Sequence, residues 1–122
     1  MQLKVISVDD SVTIANHLQN LLEKLDGIMF SGHAFTINEA LSLLETNKPD
    51  IVFLDIFLKD ENGIELLSII KNKYPQIKII MLSNHSEMFY KNKTKDLGAD
   101  YFLDKSYEFD KIPEILKKIA EN

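Results

Sequence analysis

Apolar and polar positions alternate in blocks along this chain. Leu3 to Val8 is an apolar run of strand length, and Ile14, Leu18, Leu21, Leu22 and Leu25 then recur at helical spacing until Asp26-Gly27 ends the segment. Asp10 or Ser11 suits the N-cap of that helix. A weaker strand is predicted over Ile28 to Phe35 and a short helix over Asn38 to Asn47, with Ala40, Leu41 and Leu44 inward and Lys48-Pro49-Asp50 as the break. Ile51 to Leu54 is continuously apolar and stops at Asp55. A polar loop follows, then a helix over Ile64 to Tyr74 that Pro75 closes. Ile77 to Leu82 reads as another buried strand, Glu87 to Leu97 as a polar helix ending at Gly98, and Tyr101 to Leu103 as a short strand. Asp110 to Ala120 reads as the last helix, with Ile112, Ile115, Leu116 and Ile119 facing the core.

Strand and helix thus alternate five times with short links. Continuous apolar strands belong to sheets covered on both faces, and this alternation predicts a parallel sheet between two helix layers. The expected fold class is α/β, a flavodoxin-like (βα)5 doubly wound sheet of strand order 2-1-3-4-5, with residues 1–122 as one domain. In such sheets a site forms beyond the carboxyl ends of the strands, where the order reverses.

Polar residues stand at those ends. The first strand runs into Asp9-Asp10, the third into Asp55, the fourth into Ser83, and Lys105 follows the fifth. Three neighbouring carboxylates repel one another, and a divalent cation relieves the repulsion. An all-oxygen donor set favours a hard ion, Mg²⁺ above all where phosphoryl groups are handled. Three carboxylates, one Mg²⁺ and one lysine sum to zero charge, which leaves room for an incoming phosphoryl group. Asp55, alone at its strand end, is the better nucleophile; Lys105 and Ser83 can hold phosphoryl oxygens.

The ordered set resembles the receiver domain of two-component response regulators, in a stand-alone, chemotaxis-type form. The resemblance rests on Asp9-Asp10, on the loop Leu54-Asp55-Ile56-Phe57-Leu58-Lys59-Asp60-Glu61-Asn62-Gly63, on Met81-Leu82-Ser83, and on Gly98-Ala99-Asp100-Tyr101-Phe102-Leu103-Asp104-Lys105. Spacings of 45 residues from Asp10 to Asp55, 28 from there to Ser83 and 22 on to Lys105 belong to it. It implies that Asp55 accepts phosphate from a histidine kinase or histidine phosphotransfer protein. It further implies that Asp9, Asp10, Asp55 and the Phe57 carbonyl hold Mg²⁺, that Ser83 and Lys105 contact the phosphoryl group, and that Phe102 is the switch aromatic. Output would then be a changed surface read by a downstream protein. The chain departs from the family pattern at Lys59, where proline is usual and a local salt bridge is expected. It also departs at Phe57, at Asn84 and at Ser106.

Composition narrows the alternatives. There is no Cys, so thiolate metal sites and disulfides are excluded. The net charge is −5 and every basic residue is Lys, which disfavours direct nucleic-acid binding. The Lys91, Lys93, Lys95 cluster reads as a solvated helix face. Met1 to Asp10 reaches two acids too early for a signal peptide, and no apolar run can span a bilayer, so a cytoplasmic protein is expected. His17, His33 and His85 share no ligand spacing and read as surface or boundary residues. Each site residue also has a plain structural role open to it: a helix cap for Asp9, Asp10 or Ser83, a turn for Asp55, a surface lysine for Lys105. The competing function is a receiver-like interaction module that works without phosphorylation. A phosphatase is disfavoured because Phe57 stands where a second acid would be needed, and a flavin carrier because two acids follow the first strand.

Overall fold

The computed structural model describes residues 2–122; Met1, part of the segment read as lacking a signal peptide, lies outside the described residues. The elements in chain order are β1 (Leu3–Val8), α1 (Val12–Glu23), β2 (Ile28–Ala34), α2 (Ile37–Asn47), β3 (Ile51–Leu54), α3 (Gly63–Lys73), β4 (Lys78–Ser83), α4 (Met88–Asp96), β5 (Tyr101–Asp104) and α5 (Ile112–Glu121). A single 3-10 turn, Phe109–Lys111, leads into α5. The five strands form one parallel sheet in the order β2-β1-β3-β4-β5, as the alternation predicts. Boundaries differ from the sequence reading by one or two residues, because caps and not apolar periodicity decide them. Ser11 caps α1 by accepting from the Ile14 amide, and Thr36 caps α2 by accepting from the Glu39 amide.

Both faces of the sheet are covered. Ile6, Val8, Val52, Leu54, Ile79 and Met81 pack under Ala40 and Leu44 of α2 and Leu66, Leu67 and Ile70 of α3. On the other face Val5, Ile51, Phe53, Ile80, Leu82 and Leu103 meet Leu18 and Leu22 of α1 and Ile112, Ile115 and Leu116 of α5. Successive strand residues serve opposite layers, so an uninterrupted apolar run feeds both. Among the described residues no helix is long and apolar enough to cross a membrane.

One irregularity matters for the site. The register between β1 and β2 pairs Val5 with Phe30 but Ile6 with Gly32, which leaves Ser31 as an extra residue, a bulge. Beyond it His33 pairs with Ser7 and Ala34 with Val8. Without the bulge, the one-residue offset would put His33 on the other face of the sheet.

Candidate functional site

The end of β1 is fixed on both flanks. The Asp9 amide donates to the Ala34 carbonyl at 3.0 Å, and the Asp55 amide donates to the Val8 carbonyl at 3.0 Å. Asp9 and Asp55 are therefore brought side by side by backbone bonds of adjacent strands. Both are nearly buried, at 3% and 6% exposure, whereas Asp10 points to solvent. One carboxylate oxygen from each of Asp9, Asp10 and Asp55 lies within 4.8 Å of the others. Lys105, carried just past β5, reaches across β4: its Nζ donates to Asp55 Oδ2 at 2.8 Å and to Asp9 Oδ2 at 2.7 Å. Asp9 Oδ1 accepts from the Ser11 amide at 2.9 Å.

The electrostatics follow from burial and crowding. Burial pushes the Asp9 carboxyl above its ordinary range and the Asp55 charge adds to the shift, while the Lys105 bond pulls the other way. Burial by itself would push the Lys105 ammonium down. Its hydrogen bonds to Asp55 and Asp9 outweigh that, and the net direction is up. The lysine is thus held charged between two carboxylates, with the Asp10 carboxylate at hand, which forms no ion pair among the described residues. Three clustered carboxylate oxygens and one ammonium leave negative charge in excess. That donor set, hard and all-oxygen, fits Mg²⁺.

The loop from Asp55 to α3 closes back on itself. The Gly63 amide donates to the Ile56 carbonyl at 2.6 Å. A Cβ at Gly63 would stand 1.9 Å from the Asp55 carbonyl oxygen, so only glycine admits this approach. Phe57 pairs with Asn62 in a one-residue antiparallel bridge inside the loop. Its ring lies outside, edge-on to His85 at 4.5 Å and to Tyr90 at 5.5 Å.

The remaining predicted residues stand at varied distances from this centre. Ser83 ends β4 and is fully buried, but its hydroxyl accepts from the His85 amide at 3.1 Å and makes no hydrogen bond to Asp55. Phe102 is half-buried against the α2–α3 side of the core, with Lys91 Nζ 6.0 Å from its ring centroid. Ser106 and Asn84, both departures from the family pattern, meet: the Ser106 hydroxyl donates to Asn84 Oδ1 at 3.0 Å. The peptide bond before Ser106 is trans, as are the others among the described residues. The salt bridge expected of Lys59 is not formed among the described residues: its side chain stays in solvent beside Asp60 and Glu61. His33 stands at the boundary, as its sequence reading expects, but its contacts have no signal in the sequence. It is half-buried and bonded to Ser7 and to the Asp9 carbonyl, and only the bulge, which has no strong sequence signal, reveals that.

A doubly wound parallel sheet with an acidic, lysine-bridged crevice at its switch point defines the class: a flavodoxin-like α/β fold with three aspartates gathered at its strand ends. The family model of the response regulator receiver domain matches residues 5–117, and the chain belongs to that family. It is 37% identical over 117 residues to the sensory transduction protein LytT of Bacillus anthracis, covering 95% of this chain and 46% of that protein. It is 36% identical over 122 residues to a protein-glutamate methylesterase/protein-glutamine glutaminase of Clostridium acetobutylicum, covering 96% of this chain and 35% of that protein. The chain therefore spans less than half the length of these relatives. Among solved structures, the response regulator domain of Thermotoga maritima CheB matches with a TM-score of 0.85 at 27% identity, over 99% of this chain and 96% of that one. The receiver domain of Francisella response regulator 1452 matches with a TM-score of 0.86 at 28% identity, over 98% of each. The chain is a receiver domain of the two-component response regulator type.

Proposed function

We propose that this receiver is a phosphorylation-controlled switch whose phosphoacceptor is Asp55. The observation that carries the reading is the Lys105 ammonium, bonded to Asp9 and Asp55 together, with the Asp10 carboxylate in the same cluster. Far apart in sequence, these groups converge only because the strand ends do.

In this reading an Asp55 oxygen attacks the phosphorus of a phosphohistidine on a histidine kinase or histidine phosphotransfer protein. The P–N bond breaks, its electron pair returns to the imidazole, and an acyl phosphate remains on Asp55. Asp9, Asp10, Asp55 and the Phe57 carbonyl are the groups that would hold Mg²⁺. When bound, that ion neutralises charge on the phosphoryl oxygens. Lys105 keeps its bond to the Asp55 side and turns its remaining donors to the phosphoryl group. Ser83 gives up the His85 amide and swings its hydroxyl toward a phosphoryl oxygen, which draws in the loop before α4. Phe102 then moves inward, and the surface around α4 and β5 changes for a downstream protein. Such phosphotransfer is an event of the cytoplasm, and it asks for neither a membrane contact nor direct nucleic-acid binding.

The test is Mg²⁺-dependent labelling by a small phosphodonor such as acetyl phosphate, read by intact mass. The unaltered chain is expected to gain one phosphoryl group and Asp55→Asn none. Equal labelling of Asp55→Asn would remove Asp55 from its role. Absence of any Mg²⁺-dependent labelling of the unaltered chain favours a module that works without phosphorylation.

A further inference from the structure

The acidic crevice is supported from the edge of the sheet by a histidine that the reaction itself does not use. His33 lies on β2, placed opposite Ser7 by the Ser31 bulge. Its Nε2 bonds the Asp9 carbonyl oxygen at 2.8 Å, and its Nδ1 bonds the Ser7 hydroxyl. A carbonyl only accepts, so Nε2 carries the hydrogen. In the neutral ring Nδ1 then accepts from the fully buried Ser7 hydroxyl. Burial holds His33 below its ordinary range, against the pull of the Asp9 carbonyl bond, and so favours this neutral form. Phe35 lies edge-on to the ring at 4.6 Å and limits its rotation.

The Asp9 carbonyl needs such a partner. The last ladder bond between β1 and β2 is the one from the Asp9 amide to Ala34. After Ala34 the chain turns toward α2, and the Phe35 amide donates at 2.7 Å to the Glu39 carboxylate instead of back to β1. The side chain of His33 continues the ladder where the backbone of β2 has left it. That bond also fixes more than Asp9. The Asp9 carbonyl belongs to the planar peptide that carries the Asp10 amide, so holding the oxygen holds the plane from which Asp10 projects. Asp9 has further anchors in the Ser11 amide and Lys105. Asp10 is exposed, and its place in the three-carboxylate cluster depends on its backbone.

We infer that His33 is a positioning residue for the divalent-cation site: through the Asp9 carbonyl it orients the Asp9-Asp10 pair, with Ser7 fixing its ring. The inference rests on the proposed Mg²⁺ site.

It is tested by Mg²⁺ titration of the full chain, followed through the amide shifts of Asp10, Ser11 and Asp55, with urea unfolding run in parallel. His33→Phe keeps a ring and loses both hydrogen bonds, and it is expected to weaken Mg²⁺ binding about tenfold, the lower range for losing a partner behind a metal ligand. His33→Gln can place an amide donor near the Nε2 position and is expected to restore affinity to within about twofold of the unaltered chain. Leu44→Ala, remote from the crevice, lowers stability and is expected to leave Mg²⁺ affinity unchanged, which separates positioning from general loosening. Should His33→Phe not fold, Ser7→Ala frees the ring without added bulk and is expected to weaken binding about threefold. A His33→Phe chain, or in its place a Ser7→Ala chain, that binds Mg²⁺ as tightly as the unaltered chain overturns the inference and leaves the site reading intact. An unaltered chain whose Asp10 and Asp55 amides do not respond to Mg²⁺ overturns both.

Discussion

The two helices that flank β4 in sequence are held by very different means. α3 buries Leu66, Leu67 and Ile70 against the sheet, and its first residue, Gly63, touches the backbone of Asp55. α4 buries only Thr94, whose hydroxyl turns back to donate to the Tyr90 carbonyl at 2.8 Å. Its Ncap residue Glu87 makes no side-chain cap, and Met88 and Phe89 are 67% and 68% exposed. Tyr90 and Leu97 supply what apolar attachment α4 has, each half-buried. The difference lies in the sequence: Leu66, Leu67 and Ile70 make an apolar stripe, whereas Lys91, Lys93 and Lys95 interrupt any stripe along α4. An element with few buried apolar contacts opens or shifts at low cost. Asp55, the proposed phosphoacceptor, is thus seated on the firm side of β4, and Ser83, the proposed switch hydroxyl, leads into the loose side.

The largest effect expected of this contrast is on stability. Leu67→Ala removes a fully buried side chain from the α3 contact and should cost about 2–5 kcal/mol in urea unfolding. Phe89→Ala, in the first turn of α4, should fall within about 0.5 kcal/mol of the unaltered chain. Comparable losses at the two positions would mean that α4 is packed more firmly than its exposure indicates. Gly63→Ala comes next, at about 1–3 kcal/mol. Its Cβ would meet backbone and not a flexible side chain, so the loop between Asp55 and α3 has to move. Amide shifts at Asp55, Ile56 and Phe57 should change while those of α4 stay in place. Unchanged shifts at Asp55 would show that the glycine does not seat it.

The same contrast explains how far the sequence could be read. The strands and their order were legible because buried parallel strands are apolar throughout, and Val52, Leu54, Ile79 and Met81 have no other plausible use. The convergence of Asp9, Asp10, Asp55 and Lys105 was legible because polar residues ending apolar strands are conspicuous and the topology gathers them. The bonding state of Ser83 was not: its position was predicted, but whether its hydroxyl faces Asp55 or the His85 amide depends on a loop whose conformation no periodicity encodes. Lys59 was expected to pair and does not, since spacing along an exposed loop says little about reach. His33 is a boundary residue as expected, but its contacts were not legible, because they depend on a one-residue register shift at Ser31, and such a shift reverses which face a side chain takes. Helix α4 was recognised by its end at Gly98, whose φ of 105° is the left-handed turn that releases the chain, and not by its weak amphipathic pattern.

The smallest effect concerns the turn after β5, which is held by charges where α3 is held by apolar contacts. Asp104 Oδ1 accepts from the Ser106 and Tyr107 amides at 2.8 and 3.0 Å, and the Glu108 carboxylate accepts from the Asp104 amide and from Lys111, each at 3.0 Å. The Asp104 amide bond, followed by the Lys111 ammonium, pulls the Glu108 carboxyl below its ordinary value of 4.5. A carboxyl with a depressed folded value binds fewer protons folded than unfolded. Its contribution is complete above pH 4.5 and is lost as the pH falls through the folded value. The Asp104 carboxyl, bonded to the Ser106 and Tyr107 amides, also lies below its ordinary value, so between about pH 6 and pH 3 the Asp104 amide shift should carry two contributions, and Glu108→Gln should remove the one centred below 4.5 that belongs to Glu108. Glu108→Gln should also narrow the stability difference between the two ends of that range, by a small amount because the turn is largely solvated. The amides of Leu66 and Leu67 should pass through the same range without an inflection of that origin, since α3 meets the sheet through side chains that do not titrate. An Asp104 amide titration that Glu108→Gln leaves unchanged would show that the Glu108 bond adds nothing to it and would leave the charge-held account of this turn without its main support.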